Sequence, residues 1–126
     1  MQTRQIPKTE WPSFLENFGR RHEGWVVKLE ILNPDIGAQV EATGLVLEGL
    51  TDEYNEVTGN TIMIMAGNTP EDHLTHSISH PTEVSLERTD GGADVALSIK
   101  SADGTTSLLS FRSAFLPEMV DSGERF

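Results

Sequence analysis

The first apolar pattern along the chain predicts an amphipathic helix over about residues 10–21. Large apolar side chains recur there at the three- and four-residue spacing of one helix face: Trp11, Phe14, Leu15 and Phe18. Thr9 is a candidate N-cap, and Pro12 falls in the first turn, where its missing N–H costs no intrahelical hydrogen bond. We expect this stripe to pack on the domain's own sheet, and a detachable helix that binds a partner is the alternative.

After Gly24 the pattern changes to the alternation that is typical of β-strands. Apolar and polar residues alternate over residues 25–32 and again over residues 38–43, with a turn between the two segments. Gly44 is placed to form a bulge or bend in the second of these strands. Short strand patterns continue to about residue 112, and turn signals separate them at His80-Pro81, Asp90-Gly91-Gly92 and Asp103-Gly104.

One helix followed by about six to eight short strands predicts a mainly β fold and a single domain over residues 1–126. We expect the helix to pack on a bent antiparallel sheet or on a small barrel of the Sm or SH3 type. The strands would occupy about residues 25–112, and the pattern does not decide between a barrel and a sandwich. Residues 113–126 are expected to form a short turn, around residues 115–120, followed by a frayed tail.

Composition excludes several classes of function. The chain has 20 acidic residues against 9 Lys and Arg, which gives a net charge of −11. Binding to phosphate backbones or to anionic membranes needs clustered basic residues, and the sequence contains no such cluster, so we expect neither nucleic acid nor a membrane as a partner. The chain has no cysteine, which rules out disulfides, thiolate metal sites and a cysteine nucleophile.

The same features predict a cytoplasmic location. No apolar run approaches the roughly 18 residues of a membrane span, and the first residues lack the apolar stretch of a signal peptide. The acidity is typical of a well-solvated surface, with adaptation to a salty cytoplasm as the alternative.

Several short stretches distributed over nearly the whole chain resemble a bacterial family that is defined only as a domain of unknown function. These stretches are Glu23-Gly24-Trp25, Gly37 to Ala42, Asp72 to His76, His80-Pro81-Thr82, Ser101 to Thr105 and Leu116 to Val120. The resemblance implies a full-length relationship, and it implies no activity, cofactor or catalytic residue.

The densest candidate chemistry lies between Asp72 and His80, a segment that contains three of the four histidines. On a helix, His73, His76 and His80 would share one face, and His76 with His80 would have the spacing of zinc ligands. On a strand, which the Thr, Ser and Ile residues favour, His76 and His80 share a face but lie about 13 Å apart, while His73 points the other way. The histidines are therefore hydrogen-bonded sheet residues, zinc ligands or a catalytic group.

We expect the acidic surroundings to raise the pKa of these histidines, which would make Asp72, His73, His76 and His80 a pH-sensitive surface. Neither a nucleophile elbow nor a phosphate-cradling glycine loop occurs in the chain. The sequence favours a non-enzymatic binding or protein-interaction module that self-associates or binds a protein partner, without a cofactor. A metal- or histidine-dependent enzyme, with zinc on His76 and His80, and a purely structural accessory domain are the alternatives.

Overall fold

The computed structural model describes residues 2–67 and 70–111, and within them one α-helix and eight β-strands. In chain order the elements are β1 (Gln2–Ile6), α1 (Trp11–Arg21), β2 (Val26–Asn33), β3 (Gly37–Asn55), β4 (Gly59–Ala66), β5 (Leu74–Ser79), β6 (Pro81–Arg88), β7 (Asp94–Ser101) and β8 (Thr106–Phe111). Short 3-10 helices lie at Lys8–Glu10 and Pro70–Asp72.

All eight strands form a single antiparallel sheet in the order β1-β6-β7-β8-β2-β3-β4-β5. The sheet bends strongly, so that β4 contacts β6 and β5 contacts β7 across the core. β1 and β5 stay at opposite edges, and the strands described here do not close into a barrel. Of the two predicted alternatives, the bent antiparallel sheet with the helix packed on it is confirmed, and the small barrel is not, because the sheet stays open.

Strand β3 forms the corner of this sheet. Its first half pairs with β2 and its second half pairs with β4, so one strand of 19 residues belongs to both arms of the bend. The register between β2 and β3 shifts beside Gly44, whose φ of 78° is a left-handed conformation that favours glycine. The predicted bulge at Gly44 is therefore confirmed.

Helix α1 covers the sheet with its apolar face. Trp11, Leu15 and Phe18 are fully buried and Phe14 is half-buried, which confirms that the stripe packs on the domain's own sheet. The Trp11 indole donates to the carbonyl of Ile6 at 3.0 Å, so its one polar atom is satisfied inside the core. This helix also brings its polar flank beside β6 and β7, where the candidate site lies.

Two sequence-based expectations about the chain's first residues need correction. Thr9 does not cap α1, because it lies within the 3-10 helix that precedes it and Glu10 is the N-cap residue, without a side-chain capping bond. Strand β1 was not predicted at all, since four of its five side chains are exposed and show no alternation. The predicted turn at residues 115–120 and the tail lie outside the described residues.

In the described part of the chain, the one helix is too short and too polar to cross a membrane.

Candidate functional site

A cleft of about 390 Å³ lies between α1 and the edge of the sheet formed by β1, β6 and β7. Three arginines and two carboxylates line it, together with two polar and two apolar side chains. The lining residues are Arg4, Glu10, Ser13, Phe14, Asn17, Arg21, Leu86, Arg88 and Asp94.

Asp94 organises the floor of the cleft. Its side chain is 8% exposed, and its two oxygens contact His22 at 2.9 Å, Arg88 at 3.0 Å and Arg21 at 3.8 Å. Arg88 and Asp94 occupy directly opposite positions in the antiparallel pair β6–β7. A buried carboxylate is costly unless it is paired and hydrogen-bonded, and the two arginines together with His22 meet that requirement here.

His22 connects this floor to the hydrophobic core. Its Nδ1 lies 2.7 Å from the carbonyl oxygen of Phe18, and its Nε2 lies 2.9 Å from Asp94. Each ring nitrogen therefore lies within hydrogen-bond distance of a partner, and neither is left unpaired in the interior. The ring also stacks on Phe111, with centroids 4.7 Å apart. His22 is the C-cap residue of α1, which places its ring at the end of the helix beside β7.

The three arginines come from three different elements and keep much of their surface free. The side chains of Arg4 on β1, Arg21 on α1 and Arg88 on β6 are 58%, 56% and 43% exposed. Arg88 is fixed by Asp94 and by a 2.7 Å hydrogen bond to the carbonyl of Gly92, and Arg21 lies over the Phe18 ring. Three arginines face two carboxylates, so the cleft is locally positive in a chain whose net charge is −11.

The remaining wall offers hydrogen-bonding groups and a little apolar surface. The Glu10 carboxylate is 53% exposed and reaches Arg4 only at 3.5 Å. Ser13 donates to the backbone carbonyl of Glu10 at 3.3 Å, and the Asn17 side-chain oxygen accepts from Arg20, which lies outside the lining. The Asn17 amide therefore keeps its NH2 group for another partner.

The predicted histidine segment lies elsewhere in the molecule and forms strand β5 rather than a helix. His73 is exposed before that strand, with Nδ1 at 3.3 Å from Glu48 and Nε2 at 3.1 Å from Thr75. His80 follows β5 in the turn to β6, with a φ of 54°. Asp72, the acidic candidate beside them, ends a 3-10 helix. The structure therefore gives these histidines separate surroundings.

His76 is the member of this segment that reaches the interior. It is half-buried on β5, and its Nε2 lies 3.1 Å from the hydroxyl of Ser107 on β8. Burial lowers the pKa of His76, and the opposing effect of the Glu41 carboxylate is smaller. The expectation of a raised pKa is therefore wrong for His76. Ser107 is 3% exposed, so a substrate has little access to this pair.

No group of three or more His, Asp or Glu side chains within residues 2–67 and 70–111 is placed to hold a metal ion. The proposal of zinc on His76 and His80 stays a prediction.

Sequence reasoning missed the residues of the cleft, although part of it left a signal. Arg88 and Asp94 flank the turn that was predicted at Asp90-Gly91-Gly92, and opposite charges at the two ends of a hairpin turn predict a cross-strand pair. No local signal brings Arg4 or Arg21 to that pair. Those contacts depend on the unpredicted strand β1 and on how α1 lies across the sheet.

Comparison with known proteins places the chain in a family. A protein from the bacterium Aquifex aeolicus (strain VF5), described as uncharacterized, is 29% identical over 119 residues, which cover 94% of this chain and 100% of that relative. No solved structure matches the chain significantly. The family model of DUF5335, a family of unknown function, matches residues 2–119 and confirms the resemblance inferred from the sequence. The chain belongs to the DUF5335 family.

Proposed function

We propose that the protein is a non-enzymatic binding domain whose ligand is a small anion held in the arginine-lined cleft. The observation that carries this proposal is the convergence of three of the six arginines on one cavity of a strongly acidic chain. Guanidinium groups bind carboxylates and phosphates through two parallel hydrogen bonds, which favours arginine wherever such anions are recognised.

The size and construction of the cleft support a small ligand. Its volume of about 390 Å³ lies in the range of small-molecule pockets. Asp94 holds Arg88 and lies beside Arg21 before any ligand arrives, so less side-chain entropy is lost on binding. The acidic remainder of the surface is unsuited to an extended anionic partner. These features favour a small-molecule binding module over a protein-interaction module.

The chemistry of the lining supports binding rather than catalysis. The lining contains no histidine, and its one hydroxyl, on Ser13, is hydrogen-bonded to a backbone carbonyl rather than to a base. A nucleophile needs an adjacent general base to be activated. The two carboxylates of the lining both contact arginines, so their described partners are cations and not the Ser13 hydroxyl.

The proposal is tested by titrating the protein with succinate and with inorganic phosphate at constant ionic strength, using calorimetry. We expect Arg21→Gln to weaken binding by about tenfold or more, because a charge-assisted hydrogen bond is lost. Arg20→Gln is the matched control: the residue is adjacent on the same helix, carries the same charge and lies outside the lining. Equal effects of the two substitutions, or no binding of either anion, would contradict the proposal.

A further inference from the structure

We infer that the ligand of this cleft is a hydroxylated anion, a small molecule with a carboxylate or phosphate head and at least one hydroxyl group. The inference rests on the proposed function and adds to it the second chemical requirement of the site. It follows from the presence of Glu10 among the three arginines.

Glu10 is the one carboxylate of the lining that a ligand can reach. Asp94 is 8% exposed and contacts Arg21, Arg88 and His22, whereas Glu10 is 53% exposed and has one long contact of 3.5 Å to Arg4. An ionised carboxylate only accepts hydrogen bonds. A ligand that presented oxyanions on every side would therefore be repelled at Glu10, and a ligand with a donor there would be held.

The donor that suits this position is a hydroxyl rather than an ammonium group. The Arg4 guanidinium lies 3.5 Å from Glu10, so a ligand cation at Glu10 would also lie close to a protein cation. A hydroxyl is neutral and carries both a donor and acceptor lone pairs. It can donate to Glu10 while it accepts from Arg4 or from the free NH2 group of Asn17, which lines the same wall.

The anionic head then belongs at the opposite, cationic side of the cleft. Arg88 uses its Nε for Asp94 and one Nη for the Gly92 carbonyl, and its other Nη makes no hydrogen bond to the described residues. Arg21 contacts Asp94 only at 3.8 Å, so its guanidinium also has donors for a ligand. Arg21 and Arg88 thus bind the carboxylate or phosphate of the ligand, and Glu10 binds its hydroxyl group.

Succinate, malate and aspartate test this inference, because they share a four-carbon dicarboxylate and differ in one substituent: hydrogen, hydroxyl or ammonium. We expect the protein to bind malate about tenfold more tightly than succinate, since a hydrogen bond to a charged group is gained, and more tightly than aspartate. Glycerol 3-phosphate against inorganic phosphate tests a phosphate head in the same way, and a preference for the hydroxylated member of either pair supports the inference.

The substitution Glu10→Ala assigns the preference to its residue. Glu10 makes no side-chain capping bond, so the variant keeps the start of α1. We expect it to bind malate and succinate about equally, whereas Glu16→Ala, which removes an exposed carboxylate outside the lining, keeps the wild-type preference. Equal binding within both pairs by the wild type, tighter binding of aspartate than of malate, or a preference that survives Glu10→Ala would overturn the inference and leave the anion cleft standing. Failure of every anion to bind would overturn both.

Discussion

At the scale of single residues, burial decides what each ionisable group can do in this protein. Asp94 and His22 are almost completely buried, and each has hydrogen-bonding partners inside the protein. Removing one member of such a pair leaves a buried polar group without its partner. Asp94 contacts Arg21 and Arg88, and His22 contacts Asp94, so in the proposed binding cleft both are positioning residues.

The half-buried His76 predicts how the stability of the protein depends on pH. Burial lowers its folded-state pKa, so acid protonates the unfolded chain more readily than the folded one. The pKa of histidine in the unfolded chain is about 6.5, and above this pH the stability that comes from neutral His76 is fully present. It is lost as the pH falls from about 6.5 towards the lower pKa of the folded state. Urea unfolding at pH 8 and pH 5.5 should show a smaller loss of stability at the acidic pH for His76→Gln than for the wild type.

The control for His76 is His73→Gln, which removes an exposed histidine that contacts Glu48 and leaves the burial of His76 unchanged. We expect this variant to keep the wild-type loss between the two pH values. If His76→Gln also kept the full loss, burial of His76 would not be its source.

The histidine segment could be predicted from the sequence, whereas the arginine-lined cleft could not. The density of histidines from Asp72 to His80 is visible in the sequence, and so is their strand-like context. The three arginines are separated by 17 and 67 positions along the chain, and nothing local connects them. Titratable groups that meet through the tertiary fold cannot be predicted from spacing, because spacing reports only the element to which each one belongs.

At the scale of elements, the packing of α1 on β3 depends on a close approach at Gly19. A Cβ atom at this position would lie 2.9 Å from the backbone nitrogen of Leu50 and 3.5 Å from Gly49. Those are backbone atoms of the corner strand, which cannot move aside as a flexible side chain can. The missing side chain therefore lets the helix lie directly on the sheet.

This contact predicts that Gly19→Ala destabilises the protein, although alanine is the better helix former by about 1 kcal/mol. We expect a loss of about 1–3 kcal/mol in the free energy of unfolding, the usual cost of overpacking a filled interior. Asn17→Ala, at an exposed position of the same helix, should change stability little or raise it slightly. A stabilising effect of Gly19→Ala in urea unfolding would show that the helix does not depend on this approach.

Elements with a regular spacing of apolar residues could be predicted from the sequence, whereas strand β1, which lacks such a spacing, could not. The apolar stripe of α1 and the alternation in β2 and β7 each report a buried face, which is why their positions were predicted to within a few residues. Strand β1 buries only Ile6, and it exists because its backbone pairs with β6. Pairing of that kind is a long-range property that leaves little trace in a five-residue segment.

At the scale of the whole molecule, the bend of the sheet and the distribution of charge act together. Closure of a sheet depends on register and shear over all its strands, so the local patterns did not distinguish an open bent sheet from a barrel. Because the sheet stays open at β1, this strand has a neighbour on one side only, and it contributes Arg4 to the cleft. The net positive lining thus sits at an edge of a molecule that is otherwise strongly acidic.

This arrangement predicts that the protein binds small anions and does not bind nucleic acid. At physiological salt the Debye length is about 8 Å, so a small anion inside the cleft experiences mainly the nearby arginines. A DNA duplex carries one charge per about 1.7 Å of its axis and must lie along a surface whose net charge is −11, where most of its phosphates would meet carboxylates. Mobility-shift assays with DNA and RNA at micromolar protein should therefore show no complex, while malate or succinate still raises the melting temperature of the same preparation. A mobility shift of DNA or RNA that is abolished by modest salt would mean that the arginines bind a polyanion. The assignment of a small ligand to the cleft would then be wrong.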